Sequence, residues 1–154
     1  MTLLYGKFST EEILCESLRC FYTLWLDKHG PNGALPARAD FDPIEIPANI
    51  LPYLTIFDVI RSDDGLRFHI RLAGTGVVDE IGRDTTGLFL DNLPNTESII
   101  ERAEWIVENR KPVYVTDLPI SWTSVDFKTY DALGVPLASD GKTVDKVFYQ
   151  MSFS

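Results

Sequence analysis

Only two cysteines and two histidines occur among 154 residues, and no long apolar run is present. Cys15 and Cys20 fall in one segment of helical patterning. There, five positions set the Cα atoms roughly 8–9 Å apart and turn the side chains to different sides, too far for a disulfide. They read as reduced, packed thiols in a reducing compartment, and without ligand-spaced partners they form no metal site. No stretch reaches the roughly 18 apolar residues of a spanning helix. The opening MTLLYGKFSTEE lacks the charged-then-apolar layout of a signal peptide, so a cytoplasmic location is expected. Positive charge is also scarce: 14 basic residues stand against 23 acidic ones, a net charge of −9. Such a surface repels phosphate backbones and anionic lipid, so neither nucleic acid nor membrane is expected as a partner. Of the histidines, His29 sits in a Gly/Pro loop and His69 on the polar face of a strand between Arg67 and Arg71. Neither is placed to ligate haem or to join a nucleophile and an orienting acid.

What the chain does hold is an adequate core for one globular domain, with 45% hydrophobic residues. The most informative stretch is Leu66 to Leu90. Phe68, Ile70 and Leu72 alternate with Arg67, His69 and Arg71, which predicts a half-buried strand. Gly74-Thr75-Gly76 ends it. Val77, Val78 and Ile81 then give a short helix one apolar side, and Gly82 stops it.

Upstream, Ser9 and Glu12 make a capping box for a helix expected to run to about Lys28. Leu14, Leu18, Phe21, Tyr22 and Trp25 form its aromatic-rich stripe, either packed on its own domain or exposed as a dimer contact. Gly30-Pro31-Asn32-Gly33 breaks it. Asp42 caps a short turn that starts at Pro43, and Pro47 opens another. Leu54–Arg61 reads as a strand joined by a Ser62–Gly65 hairpin to the next. A helix is expected over Glu97–Asn109, then strands from Val113, from about Ser124 to Leu137, and from Val144 to Phe153, with a Ser139–Lys142 turn between the last two. Five hairpin-linked strands with helices on one face make an α+β fold.

Chemistry is sparsely indicated. Gly74-Thr75-Gly76 would need a third glycine at position 79 for a dinucleotide loop, and that residue is Asp79. The glycines are expected instead to release the strand and permit close backbone packing. Asp58, between Phe57 and Val59, and Asp79 are the only carboxylates in an apolar setting. Either beside a tyrosine would serve a small hydrolase or isomerase; Asp58 paired with Arg71 or Arg83 would be structural. No catalytic residue is assigned, and the chain is not expected to be an enzyme.

Several ordered motifs resemble one family. The run LPARADFDPIEIP from Leu35 to Pro47 is similar to the opening signature of the PAS-fold proteins of the PAS_5 group, common in alphaproteobacteria. So are Asp58-Val59, the strand ending RLAGT, and Gly82-Arg83-Asp84-Thr85-Thr86-Gly87. Lys111-Pro112-Val113, Pro136-Leu137 and Ser139 to Asp145 continue the match in order. The resemblance implies a PAS-like five-stranded antiparallel sheet with helices on one face around a ligand-sized core. With the helix read from the pattern upstream, the chain is expected to divide into an extra N-terminal helix and linker over residues 1–33 and a sensor domain over 34–154. The resemblance also implies a sensory module that signals through terminal helices and dimer contacts. Arg71, Gly74, Thr75, Gly82, Arg83, Asp84, Thr86 and Gly87 would be scaffold around the pocket.

With the family match, the inward apolar set Phe68, Ile70, Leu72, Val78, Ile81, Trp105, Tyr130, Tyr149 and Met151 defines a candidate ligand-binding core for a small, partly apolar molecule. The photoactive cysteine motif of flavin-binding relatives is absent and no histidine lies on the pocket-facing helices. Covalent flavin and haem are therefore not expected, and the cofactor is left open. The competing reading is a ligand-free interaction module working through the N-terminal helix, as a homodimer or with a signalling partner.

Overall fold

The computed structural model describes residues 1–120 and 129–154. Six strands form one antiparallel sheet in the order β1-β4-β5-β6-β2-β3. They are β1 Leu3–Tyr5, β2 Leu54–Ser62, β3 Gly65–Ala73, β4 Val113–Pro119, β5 Thr129–Leu137 and β6 Lys146–Phe153. The α-helices are α1 Glu16–Asp27, α2 Thr75–Ile81 and α3 Glu97–Asn109. The α+β expectation holds with one strand more than the five anticipated. The addition is β1, three residues that pair with β4 through Leu3 and Val115. It was illegible because LLY is too short to show alternation. Residues 124–128 of the expected fourth strand lie outside the described residues, and the rest of it is β5.

Period-two burial explains the two sides of the sheet. Thr55, Phe57, Tyr149, Met151, Gly134 and Ala132 share one face by register, and α3 packs there. The close fit shows at Gly134, where an added Cβ would meet Ile106 Cδ1 at 2.6 Å. Ile56, Phe148, Val135 and Leu133 share the opposite face. α1 covers that side, with Phe21 6.0 Å from the Phe148 ring and the Trp25 indole N–H donating to the Pro136 carbonyl at 3.0 Å. The central strands are thus buried on both sides: Leu133, Val135 and Val147 are fully inaccessible. The aromatic stripe of α1 belongs to the core, with Leu18, Phe21, Tyr22 and Trp25 buried.

The expected single N-terminal helix is split. Ser9 does close a capping box, its N–H donating to Glu12 Oε2 at 2.6 Å, but only a 3-10 turn at Thr10–Glu12 follows. Ile13 leaves helical geometry with φ −89° and ψ 99° and enters the core at 0% exposure. Leu14, expected in the stripe, is 83% exposed. Burying Ile13 takes precedence over continuing the helix.

Further local expectations hold. Asp42 caps the Pro43 turn by accepting from the Ile44 N–H at 3.0 Å. Asp140 accepts from the N–H groups of Lys142 and Thr143. Gly82 ends α2 at φ 75°, the left-handed region glycine occupies without penalty. Gly74 is where β3 turns into α2, and a Cβ there would lie 2.1 Å from the Pro52 carbonyl oxygen. Gly76 is similarly tight against the Tyr53 ring, at 2.6 Å. The GTG step therefore exists for close packing.

The GRDTTG motif protects the β3 edge. Asp84 accepts from the Thr86 N–H, and the Thr86 hydroxyl accepts from the Ala73 N–H. The Ile70 N–H then donates to the Leu88 carbonyl at 2.8 Å. An edge that would otherwise expose unpaired backbone groups is occupied by the chain's own loop.

Candidate functional site

The space between α2, α3 and the sheet holds a small cavity of about 30 Å³. Thr55 and Phe57 from β2, Ile70 from β3, Ile81 from α2, Thr96 and Ile99 at the start of α3, and Met151 from β6 enclose it. Its lining is mostly apolar, with three threonines. Thr96 spends its hydroxyl on the carbonyls of Leu90 and Leu93. The Thr55 hydroxyl is buried without a partner. At this volume the cavity accommodates one or two waters, well short of the roughly 300 Å³ at which drug-sized pockets begin. A larger open groove of about 200 Å³ lies beside the C-terminal half of β6, between Ser17, Asn49, Tyr53 and Gln150.

Of the nine anticipated lining residues, Ile70, Ile81 and Met151 reach the cavity. Phe68 is buried on the same face of β3. On α2 the wall is Val77, one residue before the anticipated Val78, which is only half-buried. Trp105 stands edge-on to Tyr5 with ring centroids 5.0 Å apart. Leu72 requires correction. Ile56 pairs with Leu72 while the adjacent Phe57 pairs with Ile70, so Arg71 is an extra residue, a β-bulge. The bulge reverses the alternation, turning Leu72 outward at 47% exposure and Ala73 inward at 6%.

Tyr130 and Tyr149 surround a residue that was not anticipated. Arg102 of α3 is 6% exposed. Its Nη2 donates to the hydroxyls of Tyr149 at 3.3 Å and Tyr130 at 3.4 Å, and those hydroxyls are 3.3 Å apart. Its Nε has no partner. No carboxylate pairs with it among the described residues. Burial opposes its charge, but the surrounding phenols of Tyr149, Tyr130 and Tyr5 outweigh burial and raise its pKa. Burial, followed by Tyr149, pushes the Tyr130 phenol well above its ordinary value. The spacing carried a signal: Ile99, Arg102, Ala103 and Ile106 are i, i+3, i+4 and i+7, so Arg102 lies within the buried stripe.

The carboxylate reading loses its support. Asp58 lies on the α1-side face of the sheet, bound by Lys146 at 2.6 Å with His69 at 3.5 Å and Arg71 at 3.8 Å. Asp79 is exposed. Neither lines the core cavity. His69 is a cross-strand neighbour of Asp58, as its position on the polar face suggested. No group of three or more metal-binding side chains occurs among the described residues, and no helix among them is long and apolar enough to cross a membrane.

One antiparallel sheet, closed by α2 and α3 over a small interior cavity, defines a helix-capped α+β domain. The chain belongs to the PAS domain family: residues 14–151 match its PAS_5 model, described as a PAS domain. PAS domains are sensory and regulatory modules of signal transduction, generally non-catalytic, that commonly mediate protein contacts. Among solved structures, the chain is similar to the PAS domain of the histidine kinase ThkA. The two share 19% identity at TM-score 0.47, over 64% of this chain and 98% of that one. A selenomethionine form of the same domain matches at TM-score 0.46 with 19% identity and the same coverage. No curated protein matches.

Proposed function

We propose that this chain is a cytoplasmic regulatory module that takes a small, partly apolar ligand between α2, α3 and the sheet and signals through protein contacts. The unpartnered Thr55 hydroxyl in a mostly apolar cavity carries the reading, because a buried hydroxyl left unpaired is costly and a bound polar group would satisfy it. The size of the cavity restricts the ligand to a few heavy atoms unless α2 moves outward. A thermal-shift screen of small metabolites is expected to find a stabilising compound, since binding the native state alone raises apparent stability. Ile81→Phe should fill the space and abolish the shift. A screen in which nothing stabilises the wild type refutes the ligand reading.

The 30 Å³ volume also favours a second reading, a ligand-free interaction module. Leu14 and Leu26 are exposed at 83% and 42% and offer apolar contact to a second copy. Light scattering of the full chain, with and without Leu14→Glu and Leu26→Glu, decides it. A dimer lost in the variants supports this reading, and a monomer throughout removes the homodimer.

A further inference from the structure

We propose that Arg102 is the anchor for the carboxylate of a short aliphatic monocarboxylic acid whose tail occupies the core cavity. This inference rests on the core-ligand reading and specifies its chemistry.

A guanidinium sealed from water needs its donors met and its charge balanced. Among the described residues neither condition holds. Arginine presents five N–H donors in a planar fork. The described contacts are two, both from Nη2 and both to neutral phenols at 3.3 and 3.4 Å, beyond the usual 2.7–3.2 Å range. The Nε is buried and unpartnered. Nε with one Nη is an edge that receives a carboxylate in two parallel bonds. Tyr130 and Tyr149 use one hydroxyl proton in the bond between them, which leaves at most one O–H of the pair to donate to an anion.

Arg102, Tyr130 and Tyr149 are not part of the cavity wall, but they stand beside residues that are. Ile99, which lines the cavity, precedes Arg102 by one helical turn on the same stripe of α3. Thr55, also in the lining, faces Tyr149 directly across β2 and β6, which places the Cβ atoms about 5 Å apart. Phe57, another wall, packs on the Tyr149 ring with centroids 5.5 Å apart. Under this proposal the alkyl chain of a carboxylate held by Arg102 passes Ile99 and Phe57 to reach Ile70, Ile81 and Met151. The small volume selects short chains, and a single arginine selects one carboxylate over two.

The test titrates the full chain with acetate, propionate and butyrate at constant ionic strength, with propionamide as the neutral isostere. Propionate at ten times its Kd is expected to raise Tm by about 3–6 °C, with the shift growing logarithmically at higher concentration. Propionamide should raise it little. In 15N-labelled wild type, the Arg102 Nε–Hε resonance should move with propionate along a saturating curve, a readout that needs no variant to fold. Arg102→Gln should lose the propionate shift. A propionamide shift equal to that of propionate overturns the anion assignment while leaving a core ligand in place. An Nε–Hε resonance unmoved by any of the three acids overturns it too, and makes Arg102 a purely structural cation held by its tyrosines.

Discussion

Gly74 is the residue whose side chain the packing tolerates least. A methyl there would sit 2.1 Å from the Pro52 carbonyl oxygen and 2.8 Å from that of Leu54, and neither backbone atom can swing aside. Gly74→Ala is expected to cost about 3 kcal/mol or more, read as a lower urea midpoint at unchanged m-value. Leu72 and Ile70 give the opposite kind of test. Leu72→Ser should change stability by less than about 0.5 kcal/mol, whereas Ile70→Ala, at 2% exposure, should cost about 2–5 kcal/mol. Equal costs would mean that the Arg71 bulge does not reverse the strand. Tyr130 supplies a pH dependence. Its phenol is held neutral above its ordinary value of 10.0, chiefly by burial. Between pH 10 and the folded-state value the unfolded chain loses this proton while the folded chain keeps it. Its contribution is therefore complete below about pH 10 and declines as pH rises further. Urea midpoints at pH 9 and 11 should converge partly in Tyr130→Phe relative to wild type.

At the scale of elements, sequence legibility followed the length and regularity of each pattern. α3 was readable to its ends because its apolar stripe runs over three turns between Thr96 and Arg110. α2 was readable because glycines bound it on both sides. The break at Ile13 was not, since a capping box and a continuing stripe both favour helix, and only the pull of a distant core overrides them. The bulge at Arg71 was hidden for a related reason. Strict alternation through Leu72 looks like an unbroken strand, and a bulge is a property of the pairing partner as much as of the strand. Three of the anticipated cavity residues reached the site because they lie before the bulge, on α2, or on β6. Arg102 escaped notice because a charged residue in an apolar stripe is normally taken as a boundary of that stripe. The α1 helix has an energetic weight that can be measured. Phe21→Ala, fully buried against Phe148, should cost about 3–5 kcal/mol by urea unfolding.

Across the whole molecule, the sheet is a middle layer, with α1 on one side and α2 and α3 on the other. Removing residues 1–30 would uncover Leu133, Val135 and Phe148, an apolar face that water and other chains would then meet. The shortened chain is expected to lose its near-UV circular dichroism and to aggregate on size exclusion, whereas a loosely attached helix would leave a folded remainder. The acidic excess of −9 over the whole chain helps keep the intact surface dispersed.

The strand order has a consequence in time. β6 is the latest of the six strands in the chain, yet it sits between β5 and β2, where Asp58 pairs with Lys146 across 88 intervening steps of chain. Until residues 146–153 have emerged and docked, the β2–β3 hairpin and the β4–β5 pair are separate ribbons, each with an open hydrogen-bonding edge. Closure of the sheet is thus a single late event of high contact order, so refolding should be slow for a domain of this size, on the millisecond-to-second scale. During synthesis, the two waiting edges are the surfaces through which one nascent chain could pair wrongly with another.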